Sequence, residues 1–293
     1  MADDLISRGV AADRVMQFTK RRRETSTKLN SSTVASHSIC GNLTMSVPFI
    51  VAAAQSVSVA GDVQANVDRH LVFLREAAVR GSHMVVFPEL SLTGYEWTVA
   101  NELAFHDDDA RLAPLRDECV RRGVTAVVGA PLRFNDVVRI GALALGPDGT
   151  VSCYTKQYLH PGEDSVFVPG SGGRPISVDG TTVALAICAD TGYPEHAVQA
   201  ASTGASLYAA GVLITASGYD ADTALLQGYA AQHRFAVLMA NHGGDTGGWS
   251  PIGKSAFWDE DGRCVVAAEG TGAALVMVSR LETGWCGEVV TLR

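Results

Sequence analysis

The sequence predicts an α/β fold: one domain, residues 46–293, with two mixed, partly antiparallel sheets and helices outside them. Three observations carry that expectation. From Pro48 onward, apolar runs of strand length alternate with stretches of helical periodicity. One run, TTVALAI at 181–187, is continuously apolar, as a strand buried on both faces would be. The turn sequences PDG (147–149) and DEDG (259–262) each separate two apolar runs, which adds antiparallel hairpins.

The elements follow in order. PFIVAAAQS (48–56) reads as a buried strand. Residues 62–80 read as a helix: Asp62 can cap it, Val63, Val67, Leu71, Leu74 and Ala78 share a face, and Gly81 can end it. HMVVF (83–87) is a short strand, 109–122 a helix of alternating charge, and VTAVVGA (124–130) a strand. RIGALALG (139–146) turns through PDG into TVSCYTK (150–156). After the strand at 181–187, a helix runs from Pro194 to Thr203, with Pro in its first turn and Gly204 at its end. Residues 205–215 supply a strand, 220–234 a helix and 236–240 a strand. SAFWDEDGRCVVAA (255–268) is a hairpin, and ALVMVS (274–279) is the last strong strand.

Residues 1–45 differ from this pattern. They carry seven basic residues against four acids, so they are +3 while the whole chain is −8 and the remainder −11. The segment is polar, with little apolar periodicity, and reads as disordered. The alternative is an over-extended start, with Met45 as the true first residue. ETSTKLNSST after the arginines is too polar for a secretory signal.

Composition narrows the function classes. A chain that is 47% hydrophobic and 18% charged suits a compact enzyme. Its net acidity argues against unspecific nucleic-acid binding. The apolar runs are too short to span a bilayer, so no membrane partner and a cytoplasmic location are expected. Six cysteines without a CxxC pair signal neither a disulfide scaffold nor a zinc ribbon. The histidines form no HxxxH or HExxH pair, so no metal is expected.

Three positions stand out chemically. Glu89 closely follows the strand at 83–87, Lys156 ends the strand TVSCYTK, and Cys188 ends another fully apolar strand, in LAICADTGYPE. The chain has four lysines, and two of them, Lys156 and Lys254, lie beyond residue 45. Singly, each position is better read as a strand-end acid, a surface lysine and a core thiol. Together they place an acid, an amine and a thiol beyond strand carboxyl ends, where α/β sheets collect ligand chemistry. That is the inventory of nucleophilic catalysis: a thiol, a proton acceptor, and a cation for the oxyanion.

FPEL (87–90) with LTGY (92–95), YTK (154–156), and ICAD (187–190) with YPE (193–195) resemble the nitrilase, or carbon–nitrogen hydrolase, superfamily. The order Glu, Lys, Cys and the spacings of 67 and 32 residues fit. The resemblance covers residues 48–280. It implies a nitrilase-like α-β-β-α sandwich, homodimers or higher homo-oligomers, no cofactor, and a Glu–Lys–Cys triad. It makes Cys188 the nucleophile and Glu89 the general base. Lys156 and the Ala189 N–H would hold the oxyanion. Glu163, six residues before Pro169, fits a second family glutamate that would orient Lys156 or the substrate. Cys188-Ala189-Asp190 is closer to the amidase and N-carbamoyl-amide branches than to the Cys-Trp-Glu of nitrile cleavage. Tyr95, Glu96, Trp97, His196, His242 and Trp249 are candidates for the pocket rim, though each taken alone is better read as structural.

One motif competes. Residues 248–255, GWSPIGKS, match the P-loop pattern GxxxxGK[ST]. A P-loop needs a helix after it, and AFWDEDGRCVV predicts a hairpin instead. The expectation is hydrolysis of a small-molecule amide through a cysteine thioester. The alternatives are nitrile hydrolysis and a catalytically silent scaffold.

Overall fold

The structure, a computed structural model, describes residues 48–292. The reading of residues 1–45 lies outside the described residues. The chain begins with β1 (Phe49–Gln55), α1 (Val63–Val79), β2 (Met84–Val86) and α2 (Trp97–Leu103). Then come α3 (Ala113–Arg122), β3 (Thr125–Phe134), β4 (Val137–Leu145), β5 (Val151–Thr155), β6 (Ile176–Val178) and β7 (Thr181–Ile187). The second half supplies α4 (Pro194–Ser202), β8 (Leu207–Val212), α5 (Tyr219–His233), β9 (Ala236–Asn241) and β10 (Ala256–Trp258). It closes with β11 (Cys264–Ala267), β12 (Ala274–Leu281) and β13 (Gly284–Thr291).

The strands form two sheets. One has seven strands in the order β13-β12-β1-β2-β3-β4-β5, the other six in the order β11-β10-β9-β8-β7-β6. Each is parallel at its centre (β1, β2 and β3; β7, β8 and β9) and antiparallel at its flanks. Alternation along the strands explains the layering. Val51 and Ala53 of β1 face the same inner core as Val183, Leu185 and Ile187 of β7. Ala52 and Ala54 turn outward against Val67, Leu71 and Leu74 of α1. Ala184 and Ala186 turn outward against Ala197 of α4 and Leu226 of α5. The result is helix, sheet, sheet, helix, as expected.

The helix ends follow local chemistry. Asp62 caps α1, accepting from the Ala65 N–H at 3.0 Å. Gly123 ends α3 in the left-handed conformation. The structure corrects the reading at several points. The helix expected at 109–122 is split: Ala110–Leu112 is a 3-10 turn, and Pro114 stands in the first turn of α3. β3 runs on to Phe134 through Pro131. α2, β6 and β13 were not foreseen. α2 and β6 are too short for a clear period, and β13 is a largely exposed edge strand with two glycines.

Candidate active site

Glu89 lies in the turn Phe87–Leu90, directly after β2. That turn enters the space between the two sheets because two strands carry glycine there. A Cβ at Gly129 of β3 would collide with the backbone of Pro88 and Leu90. One at Gly211 of β8 would collide with the Phe87 carbonyl. Leu90 takes a φ of 51°, in the sparsely populated left-handed region. The His242 Nε2–H donates to the Glu89 carbonyl at 2.7 Å and fixes the turn from below. Burial lowers the pKa of His242 to about 4, so the ring is neutral.

Lys156 is the first residue beyond β5, and its side chain is fully buried. Its Nζ lies 2.6 Å from Glu89 Oε1 and 2.6 and 2.8 Å from the two oxygens of Glu163. Both glutamate side chains are buried too. Glu163 Oε1 also accepts from the Tyr95 hydroxyl, and Oε2 from the His160 N–H at 2.7 Å. The network therefore joins three chain segments around one ammonium.

The electrostatics follow from this crowding. Burial raises the pKa of Glu89, Lys156 lowers it, and Glu163 raises it again, to a result of about 7. Burial opposes the charge of Lys156, but Glu89, Cys188 and Glu163 outweigh it and hold the amine above the usual lysine range. Glu89 Oε2 is buried without a hydrogen-bond partner, while the Cys188 thiol is near enough to favour the ionised carboxylate.

Cys188 does not end a strand. β7 stops at Ile187, and Cys188 opens a 3-10 helix, Cys188–Gly192, with a φ of 43°. Cys188 is half-buried, and its Sγ donates to the Leu213 carbonyl at 3.5 Å. Burial, and then Glu89, push the thiol well above its ordinary pKa, against the pull of Lys156. The resting sulfur is a thiol beside a carboxylate that titrates near neutrality. The Ala189 N–H stands in the first turn of the 3-10 helix, where no carbonyl of that helix can accept it.

Behind the cysteine stands Asp190, buried and acceptor to four groups. Oδ1 accepts from the N–H groups of Gln157 (2.9 Å) and Tyr158 (3.0 Å). Oδ2 accepts from the Ile187 N–H (3.0 Å) and the Tyr154 hydroxyl (2.7 Å). One side chain thus ties the segment after Lys156 to the turn that carries Cys188. The ring of Tyr158 stacks on Tyr193 at 3.8 Å and joins the same two segments at the surface.

Residues 50–284 match the carbon-nitrogen hydrolase family. The chain belongs to that family. Among its relatives is a nitrilase from Pyrococcus abyssi, 32% identical over 144 residues, 46% of this chain and 54% of the relative. A formamidase from Pseudomonas syringae pv. tomato is 29% identical over 205 residues, 66% of this chain and 58% of the relative. The chain thus spans little more than half the length of these curated relatives. Among solved structures, a mutant amidase from Nesterenkonia sp. AN1 is 26% identical, with a TM-score of 0.72 over 79% of this chain and 90% of that one. That structure shows covalent addition of the acetamide moiety of fluoroacetamide at the active-site cysteine.

The fold brings Glu89, Lys156, Glu163 and Cys188 together, with Tyr95 against Glu163 and Ala189 beside the thiol. The rim candidates divide. Trp249 is 40% exposed and packs edge-on against His160. Trp97 packs on Tyr95 at 5.3 Å, and Glu96 accepts from the Gly247 N–H at 2.8 Å. His196 and His242 are not rim residues. His196 is buried between the hydroxyls of Tyr154 (2.7 Å) and Tyr208 (2.8 Å), and His242 lies under the Glu89 turn. The P-loop pattern is set aside by structure. Ser255 leads into β10, not a helix, and the Lys254 ammonium lies 5.3 Å over the Tyr219 ring. The reading missed Asp190 as an anchor. Its place two residues after the candidate thiol, in a run otherwise apolar up to Ala189, was the available signal.

Proposed function

We propose that the protein hydrolyses the carbon–nitrogen bond of a small amide through a thioester on Cys188. The observation that carries this reading is the meeting of a thiol, a carboxylate with a pKa of about 7 and a buried ammonium at the carboxyl ends of strands. The similarity to an amidase with a modified active-site cysteine supports it.

In this reading Cys188 Sγ attacks the amide carbonyl carbon while its proton passes to Glu89. The raised thiol pKa makes this coupling necessary, since free thiolate is scarce before substrate arrives. The carbonyl oxygen becomes an oxyanion, held by the Lys156 ammonium and the Ala189 N–H. Glu89 then returns the proton to the departing nitrogen, and ammonia or amine leaves. Water attacks the thioester, again losing its proton to Glu89, and collapse releases the acid and restores the thiol. Glu163, held by Tyr95 and the His160 N–H, keeps Lys156 charged and aimed.

Nitrile cleavage is the second reading, favoured by the similarity to the Pyrococcus abyssi nitrilase. Ammonia release from matched amides and nitriles, with the full chain and its Cys188→Ala variant, separates the two. The expected result is release from amides that vanishes in Cys188→Ala while the circular dichroism spectrum is unchanged. Release from nitriles alone would replace the reading, and activity surviving in Cys188→Ala would end it.

A further inference from the structure

Glu89 is held by a side chain that the reaction itself does not use. His70 lies in α1, one helical turn after Asn66, and both are buried. Its Nδ1 lies 2.6 Å from the Asn66 carbonyl. A carbonyl oxygen only accepts, so Nδ1 carries the proton. In the neutral ring Nε2 is then a bare acceptor, and it lies 2.9 Å from the Ser91 hydroxyl. Burial, opposed by the Asn66 carbonyl and aided by nearby His242, lowers the pKa of His70 to about 3, so the ring is neutral.

Ser91 Oγ in turn accepts from the Gly129 N–H at 3.2 Å. Its proton goes to Nε2 and its lone pair to Gly129, so α1 is linked through Ser91 to β3. The face of the His70 ring stacks on Phe87, with centroids 3.9 Å apart and planes 19° from parallel. His70 therefore grips both ends of the turn that carries Glu89: Phe87 before it and Ser91 after it. From the other sheet, His242 fixes the Glu89 carbonyl itself. The grip matters because Glu89 has two tasks at once. Oε1 stays 2.6 Å from the Lys156 ammonium while the carboxyl reaches the Cys188 thiol.

We propose that His70 is a positioning residue for Glu89: through Ser91 and Phe87 it fixes how the carboxylate stands to Lys156 and to the thiol, without touching substrate. The proposal rests on the hydrolase reading above.

The full-length protein is assayed on linear aliphatic amides, formamide to hexanamide, and the one cleaved fastest is followed from about pH 5 to 9. His70→Phe keeps a ring on Phe87 but takes the acceptor from the Ser91 hydroxyl. Its kcat should fall roughly 10–100-fold, the scale of a small misplacement, with KM within about twofold. The acid limb, set by Glu89, should move up by at least about 0.5 pH unit as the carboxylate slackens from Lys156, whose charge lowers its pKa. His70→Gln restores an acceptor near the place of Nε2 and should recover most of the rate. Ser91→Ala cuts the same link from the other side and should move the limb the same way, which keeps the test open if His70→Phe does not fold. Adding His70→Phe to Ser91→Ala should cost less than about twofold more, since the two share one link. The limb decides. Unmoved in every folded variant, it makes His70 a packing residue and overturns the proposal, whatever happens to Tm, while the hydrolase reading stands. Ammonia release from no amide or nitrile by the unaltered protein overturns the hydrolase reading and this proposal with it.

Discussion

The two halves of the site are built on opposite terms. The ionic half, Glu89 with Lys156 and Glu163, is fully buried, and its turn is clamped between the sheets by Gly129 and Gly211. The thiol half is half-buried on a short 3-10 turn, anchored from behind by Asp190. The difference shows how the work is divided. The charges that must be strong are placed where water cannot weaken them, and they are aligned before substrate binds. In the proposed reaction the sulfur meets the substrate, and the residue that carries it is only half-buried. Glu89 spans the divide: it touches Lys156 through Oε1, and its Oε2 is buried without a hydrogen-bond partner on the side of the thiol.

If this division is right, damage to the ionic half should be the most severe. Lys156→Met leaves two buried carboxylates without their shared cation, so turnover should fall by roughly 10³, the scale of a lost oxyanion donor. Because Lys156 lowers the pKa of Glu89, the acid limb of the remaining activity should also move to higher pH. An unmoved limb in a pH–rate profile would separate Lys156 from Glu89.

Damage behind the thiol should be smaller and geometric. Asp190→Asn keeps the shape but has one oxygen where the carboxylate has two, so donors among Gln157, Tyr158, Ile187 and Tyr154 lose their acceptor. A loss of roughly 10²-fold in kcat, with a lowered Tm, is expected, since each orphaned buried donor costs about 1–3 kcal/mol. Stopped assays with thermal melting check both. Unchanged kcat at lowered Tm would make Asp190 purely structural.

The gentlest test alters no residue. Glu89 must be ionised to take a proton, and its pKa is raised to about 7. Activity should therefore rise with pH up to that region and fall about tenfold per unit below it. Activity that stays flat down to pH 5 would exclude Glu89 as the base.

The sequence made one of these halves more legible than the other. Every strand that supplies the central parallel ladders announced itself by apolar runs. Glu89, Lys156 and Cys188 were readable only together, as an acid, an amine and a thiol beyond strand ends in an order that resembles a known family; singly each had a plainer reading. What could not be read was how the groups are held. Nothing in Gly129 or Gly211 alone says that a turn from another segment will press against them; that needs both sheets in place. Asp190 stood in the sequence only as part of the ICAD motif, yet it gathers donors from residues over 30 positions away. The raised thiol pKa was likewise hidden, because burial set by the whole fold outweighs the nearby lysine. His196 and His242, offered for the rim with a structural role as the better reading, are internal props.

The most direct test asks whether sulfur and carboxylate act on one carbonyl. The full-length protein, turning over the aliphatic amide it cleaves fastest, is quenched in acid, digested and analysed by mass spectrometry, alongside Glu89→Gln. The expected result is an acyl mass on the peptide that contains Cys188, formed at least about 100-fold more slowly in Glu89→Gln, as loss of a general base demands. An acyl group on Cys119, Cys153, Cys264 or Cys286 in its place, or equal acylation rates in the two proteins, would contradict the account.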